Sequence, residues 1–319
     1  VARPNPSRHL GLDLGGTNIK WVVVEWDAAD WRVLDRDQVP TPTPGVPDAV
    51  VPRLAEVGSE ALGRMPGVTT VGIGVPGLYD PVAGTTRFLV NLPGPWAGRP
   101  VAGPVGDAFG LPAALINDAR AFGLAELRLG AARGASSMIG LTLGTGVGGV
   151  IAVDGRVHQG HDGTAGEIGH QTIVPDGPWC GCGNRGCLEA FARADQIAAM
   201  CGTATAEEAI DRARAGDTRA IDGLAQAGRY LGIGIANMVA VISPDRVVLG
   251  GGVAAAGELL LEPIRAELRR RVHTTSLDAV TVVTAELGTW AGAIGAAVHG
   301  AEVASMPERG VLGASVGAS

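Results

Sequence analysis

His9-Leu-Gly-Leu-Asp13-Leu-Gly15-Gly16-Thr17-Asn-Ile-Lys20 runs an apolar strand into a glycine turn, and Ser137-Met-Ile-Gly-Leu-Thr-Leu143 does the same into Gly144-Thr145-Gly146-Val-Gly-Gly149. The stretches beyond the two turns are also alike. After the first come a second strand, Ile19 to Trp26, a turn at Asp27 to Asp30, and a third strand, Trp31 to Val39. After the second come Val150 to Val153, a hairpin turn at Asp154-Gly155, and a third strand starting over Arg156 to Gln159. A Pro-rich loop (Pro40 to Pro47) and a helix pattern over about Asp48 to Arg64 then lead to Thr70-Val-Gly-Ile-Gly-Val75, which stops at Pro76-Gly77. In the same way Arg246-Val-Val-Leu249 stops at Gly250-Gly251-Gly252, after helices over much of Ala190 to Val241. One strand-hairpin-strand unit used twice, with helices between, predicts a duplicated α/β domain with a cleft between the copies. The lobes are expected over 1–117 and 118–288. An Ala- and Gly-rich helix over about 289–303 is able to pack back on the first lobe, and 304–319 reads as a loose tail.

The bulk properties agree. A chain of 319 residues exceeds one ordinary core, and 46% apolar against 18% charged residues excludes global disorder. Net charge is −7 with no basic stripe, which disfavours a nucleic-acid partner. Val1 to His9 carries no signal-like apolar region, and Leu231 to Ile242 is too short for a membrane helix, so a soluble cytoplasmic protein with no membrane partner is expected.

The glycine turns let backbone N–H groups converge on an anion without a Cβ in the way. Thr17 and Thr145 add hydroxyl donors, and Asp13, at a strand end, is placed to orient magnesium through water. Neither turn has the Gly-Lys-Ser/Thr of a Walker loop. Gly251 and Gly252 end a buried strand where an adenosine could lie on bare backbone. Leu111 to Asp118 reads as a strand ending in Asn117-Asp118, followed by helix spacing over Ala119 to Leu129. Asp118 therefore has two readings: a helix N-cap, or a general base kept ionised by the helix dipole. His170, Cys180, Cys182 and Cys187 make a Cys3His set, the closed four-coordinate pattern of structural zinc. Glu167 and Glu189 flank it and suit sugar hydroxyls; the other reading is ordinary solvated Glu. Cys201 is expected in the core, and the remaining histidines are expected to be structural.

With these motifs in place, the chain closely resembles the ROK family of sugar kinases and repressors. Asp13 to Lys20 is similar to its first phosphate motif, Leu143 to Gly149 to its second, and Asn117-Asp118 to its catalytic pair. Glu167-x-Gly-His170 and Cys180-x-Cys-Gly-x-x-Gly-Cys187-x-Glu189 resemble its signature and zinc loop. The resemblance implies the actin-like (ribonuclease H-like) ATPase fold and transfer of the ATP γ-phosphate to the 6-hydroxyl of a hexose. It implies Asp118 as base, and Asn117, Glu167, His170 and Glu189 as sugar contacts, with Gly77 and Asn91 as further sugar-side positions. Asp13, Gly15, Gly16, Thr17, Gly144, Thr145, Gly146, Gly251 and Gly252 fall on the side of ATP and Mg2+. Glucose is the common acceptor. Amino sugars (glucosamine-type, N-acetylmannosamine, N-acetylglucosamine, kanosamine) are the alternative. A homodimer or higher homo-oligomer is expected. One position departs: many family kinases read Asn-Asp-Ala-Asn, and here Arg120 stands fourth. Two residues past Asp118 on a helix, it is expected to point away from the sugar, toward the other lobe. A repressor would need a DNA-binding segment ahead of the first motif, which begins here at Asp13, so a sugar-responsive repressor of the same family is the less expected alternative.

Overall fold

The computed structural model describes residues 6–27, 29–89 and 92–306. Ser7–Leu14 (β1), Asn18–Trp26 (β2) and Trp31–Pro40 (β3) form an antiparallel run; Pro47–Arg64 (α1) crosses to Val68–Val75 (β4), parallel to β1. A small sheet of Gly77–Asp80 (β5), Thr85–Leu89 (β6) and Arg99–Pro100 (β7) precedes Ala102–Phe109 (α2), Ala113–Asn117 (β8) and Asp118–Arg128 (α3). The second copy begins with Met138–Leu143 (β9), Val147–Val153 (β10) and Arg156–Val157 (β11). Helices Glu189–Ala192 (α4), Ala194–Cys201 (α5), Ala206–Arg214 (α6) and Thr218–Ile242 (α7) come next. Arg246–Gly250 (β12), Glu258–Arg271 (α8), Thr281–Thr284 (β13) and Ala291–Ala304 (α9) complete the order.

The two large sheets have the same plan. Their orders are β3-β2-β1-β4-β8 and β11-β10-β9-β12-β13, with β1, β4, β8 parallel in one and β9, β12, β13 parallel in the other. This is the duplicated α/β architecture of the actin-like ATPases. Strands inside the sheet are apolar on both faces where both are covered: Trp21 and Val23 of β2 are buried in one core and Val22 and Val24, on its other face, in another. One core joins the first sheet to α1 and α2, and another joins the second sheet to the α5–α8 helices. A third, from Val22 and Val24 through Phe122, Val150, Ala293 and Ala297, runs between the sheets.

That middle layer is α3 and α9. Helix α9 is apolar on every side, as a helix enclosed by protein should be, and it lies on β1, β2, β4 and β8. Glycine makes the approach possible: a Cβ at Gly11 or Gly72 would stand 1.9 or 1.7 Å from a backbone oxygen of α9. The late helix thus packs on the first sheet, as the sequence allowed, though it starts at Ala291 after a 3-10 turn over Gly288–Trp290. Of the tail expected over 304–319, Ala304 still belongs to α9, and 307–319 lie outside the described residues. The third strand of the second copy is only two residues long, and the small β5–β7 sheet lacked a periodic signature in the sequence. Among the described residues no helix is long and apolar enough to cross a membrane.

Candidate active site

Strand register brings the acids together. Asp13 on β1 pairs with Gly74 on β4, and Gly74 pairs with Ile116 on β8, so Asn117 and Asp118 emerge beside Asp13 across a strand with no side chain there. The helix cap is Asn117, not Asp118. Its Oδ1 accepts from the Arg120 backbone N–H at 3.1 Å, while its Nδ2 donates to Gly77 O (3.2 Å) and to Asp118 Oδ1 (2.9 Å). Asp118 is the first helical residue, and its Oδ1 also accepts from Ala119 N–H at 2.8 Å. The N-cap reading of Asp118 is therefore overturned by its neighbour, and the carboxylate is left for other work.

Asp118 is open to solvent, yet the protein massed around it governs its charge state. Loss of water pushes Asp118 up to about 6; the Ala119 N–H opposes this, Glu167 adds to it and Arg120 opposes it. The helix dipole expected to keep it fully ionised is outweighed. Asp13 is pushed up to about 7 by burial and then by the charge of Asp118, against Lys20. Lys20 Nζ reaches Thr289 O at 2.8 Å, just before α9. The Asp13 carboxylate rests on the first turn of that helix: a Cβ at Gly292 would stand 2.6 Å from Asp13 Oδ2.

The glycine turns close the β1–β2 and β9–β10 hairpins. Gly15 N–H donates to Asn18 O (3.0 Å) and Thr41 Oγ1 to Gly15 O (2.7 Å), which leaves Gly16 and Thr17 exposed. Gly144 N–H donates to Gly146 O (3.0 Å), and Thr145 is exposed at the tip. A Cβ at Gly144 would meet nothing, so packing does not demand glycine there and the backbone stays open. Gly251 has φ +84° and abuts the backbone of Leu143, and Gly252 beside it is open except for Glu207 at 3.7 Å.

The four expected metal ligands converge. The Nδ1/Nε2 or Sγ atoms offered by His170, Cys180, Cys182 and Cys187 all lie within 4.8 Å of one another, and none of the cysteines is in a disulfide. Cys182 Sγ and Cys187 Sγ are 3.7 Å apart. Two sulfurs on one tetrahedral zinc at ~2.3 Å would be about 3.8 Å apart, so the donor set fits that ion. Burial pushes the Cys180 thiol up to about 12, with Glu189 among the causes that raise it. Cys201 lies in the core, as expected.

The acids beside this loop differ. Glu189 is tied down: Oε2 accepts from Val147 N–H at 3.0 Å and Oε1 from the Cys180 thiol at 3.4 Å. It bridges the Cys3His cluster and the second glycine turn, which the sequence did not foretell. Glu167 is open to solvent, and its partner is Arg120 at 3.4 Å. Arg120 does reach the second half of the chain, but at the segment that carries Glu167, so it is connected to the candidate sugar side rather than remote from it. Gly77, at φ +147°, sits against Phe88 O where no Cβ fits. Asn91 lies outside the described residues. A large cavity of about 1680 Å³, lined by His9, Trp31 and His299, holds none of these groups.

Known proteins share this frame. The family model described as ROK family matches residues 9–301. The glucokinase of Streptomyces coelicolor is 33% identical over 313 residues, 90% of this chain and 96% of that protein. The crystal structure of a ROK family glucokinase from Streptomyces griseus, in complex with glucose and AMPPNP, superposes with a TM-score of 0.78 at 32% identity, covering 93% of this chain and 100% of that one. The ROK hexokinase from Thermus thermophilus gives 0.78 at 38% identity, covering 93% and 99%.

Proposed function

The chain belongs to the ROK family, and on that premise we propose that it transfers the γ-phosphoryl group of ATP to the 6-hydroxyl of a hexose, glucose first among the candidates. The observation that carries this reading is Asp118. Its carboxyl is open to solvent at the end of β8 yet pushed up to about 6 by the protein around it, held by Asn117 and facing a second acid from β1.

Phosphoryl transfer asks little covalent work of a protein; positioning and charge neutralisation dominate. Asp118 accepts the proton of the attacking hydroxyl as the oxygen moves in line on the γ-phosphorus. A base that titrates near neutrality is ionised before the step and still basic enough to take the proton. Asn117 fixes its rotation, and Gly77, tied to Asn117, forms the sugar-side wall with Glu167, His170 and Glu189. The backbone of Gly15, Gly16, Gly144 and Gly146, with Thr17 and Thr145, receives the triphosphate, and Gly251 and Gly252 lie under the adenosine. Mg2+, when bound with ATP near Asp13, supplies charge neutralisation to the phosphates.

His170, Cys180, Cys182 and Cys187 would hold Zn2+, whose contribution is to cross-link a glycine-rich loop. With Cys180 deprotonated on a cation, Glu189 Oε1 is left for a ring hydroxyl. The lobes divide at 117/118, and cytoplasmic location and a homo-oligomer complete the proposal. A coupled ATP assay over hexoses and amino sugars, with phosphorus NMR of the product, tests it. Phosphate at the 6-oxygen supports it; no turnover on the panel, or phosphate at the anomeric carbon, overturns it.

A further inference from the structure

Arg120 takes no part in the steps above, yet it is among the most deeply buried large side chains, 1% exposed. Burying a guanidinium is costly unless its charge and donors are met. Nε and Nη2 donate to Ala165 O at 3.2 and 2.9 Å, and Nη2 stands 3.4 Å from Glu167 Oε1. Nη1 is buried with no hydrogen-bond partner. The segment it grips is pinned at its other end too: Tyr79 OH donates to Gln159 Oε1 at 3.3 Å, and Ala165 N–H closes back on Gln159 O at 3.2 Å. Residues 159–167 therefore form a closed loop fastened to the first turn of α3 by one side chain.

The charges around it explain why that side chain is a cation. Asp118 faces Glu167 from this loop, Asp13 from β1 and Arg120 from its own helix, while Lys20 on β2 faces Asp13. Two carboxylates on the acceptor side repel each other, and an apolar strap would hold the loop without relieving that. Because Nη1 is sealed from solvent, Arg120 is not itself placed to bind a substrate anion.

We propose that Arg120 is a positioning residue for the phosphoryl acceptor: its buried guanidinium holds Ala165 to Glu167 against the helix that carries Asp118, sets the Glu167 carboxylate at the sugar side, and stands as a positive charge beside both acids. This rests on the kinase reading above. Arg120→Met removes charge and fork, and Arg120→Lys keeps the charge while losing the planar fork. Both are assayed in the full chain with the hexose that the wild type uses best. For Arg120→Met, kcat/KM for the sugar falls about 10²-fold, the scale of a misplaced acceptor. The ATP KM stays level, and the acid limb of the pH profile moves to higher pH. For Arg120→Lys the acid limb returns toward wild type while the sugar KM stays raised. If Arg120→Met does not fold, Glu167→Gln carries the test: the sugar KM rises, but the acid limb moves to lower pH, the opposite sign. A folded Arg120→Met with lower thermal stability but unchanged sugar KM and pH profile makes Arg120 a structural strap and overturns the inference, as does a Glu167→Gln that moves neither. A wild type that turns over no hexose sinks the kinase reading instead.

Discussion

Asp118→Asn separates a catalytic base from a structural acid by moving stability and activity in opposite directions. The folded chain binds this proton at about 6 rather than at the ordinary 3.8. The unfolded chain releases it first, so stability falls as pH rises through that interval, by less than the full shift implies because Asp118 is open to solvent and its charge is screened. An amide of the same size can still accept from Ala119 N–H and carries no charge to desolvate. The variant should therefore be at least as stable as wild type at neutral pH, with the advantage vanishing near pH ~4, where the carboxyl is protonated anyway. Activity should go the other way. An amide cannot take the hydroxyl proton, and loss of a general base lowers kcat by about 10²–10⁴-fold. In the wild type, kcat/KM for the sugar should lose its ionised base below about pH 6. Asp13 titrates in the same region at about 7, so the limb belongs to the pair; Asp118→Asn also removes the like charge that raises Asp13. Thermal melts at neutral and acid pH, with kcat from the coupled assay, decide the matter. A folded variant that keeps most of its kcat, or one destabilised at neutral pH, would refute the reasoning and return Asp118 to a structural role.

Three further outcomes are expected. Gly292→Ala should gain about 1 kcal/mol of helix propensity, yet its Cβ would stand 2.6 Å from Asp13 Oδ2; the short carboxylate gives way, so kcat falls or ATP KM rises about tenfold while sugar KM holds, and a fully active variant denies the contact its role. Elemental analysis of the wild type should find close to one zinc per chain, and Cys182→Ser should lose it together with several kcal/mol of stability, because coordination energy is folding energy; a metal-free wild type of full stability counts against the site. Thr145→Val should weaken ATP by up to about tenfold for one lost hydroxyl hydrogen bond, read as ATP KM with sugar KM unchanged, and an effect confined to sugar would move this turn to the other half-site.

The features legible in the sequence were local or repeated. The strand-and-glycine units announce themselves because doubly buried strands are continuous apolar runs and glycines mark where each run turns. The Cys3His set is equally readable, since a short loop can close only around what lies within it. Relations across the chain were not readable. Arg120 stands 47 positions from Glu167, and Val147 stands 42 from Glu189; nothing in helix or strand periodicity links them. Helical spacing alone turned Arg120 away from the sugar, but an arginine is long enough to reach around a turn. The cap assignment slipped by one residue because Asn and Asp are equally good caps and adjacent here. The shift of Asp118 depends on elements massed around it that only the fold assembles.

The duplication also explains why one copy holds the acids. In each copy the penultimate residue of the leading strand faces a glycine on its parallel neighbour: Asp13 on Gly74 in the first, Thr142 on Gly250 in the second. At Gly74 the space left by the missing side chain is met by the carboxylate of Asp13, whereas at Gly250 the ring of Phe122 takes that space and Thr142 turns its hydroxyl to Gly148. The outer parallel strands differ likewise, since β8 ends in Asn117 and runs directly into Asp118, while β13 ends at Thr284. Two carboxylates pushed toward neutrality by the protein around them suit a half-site where a proton leaves a neutral hydroxyl. They would repel a triphosphate bound directly over them. The second copy offers at its turn open glycine backbone and the hydroxyl of Thr145, which are donors without negative charge. On the proposed kinase reading the acceptor belongs on the side of the first copy's acids and the adenosine on the side of Gly251 and Gly252, and Asp13 would stand where the two meet, the place from which an acid can face metal-bound phosphates.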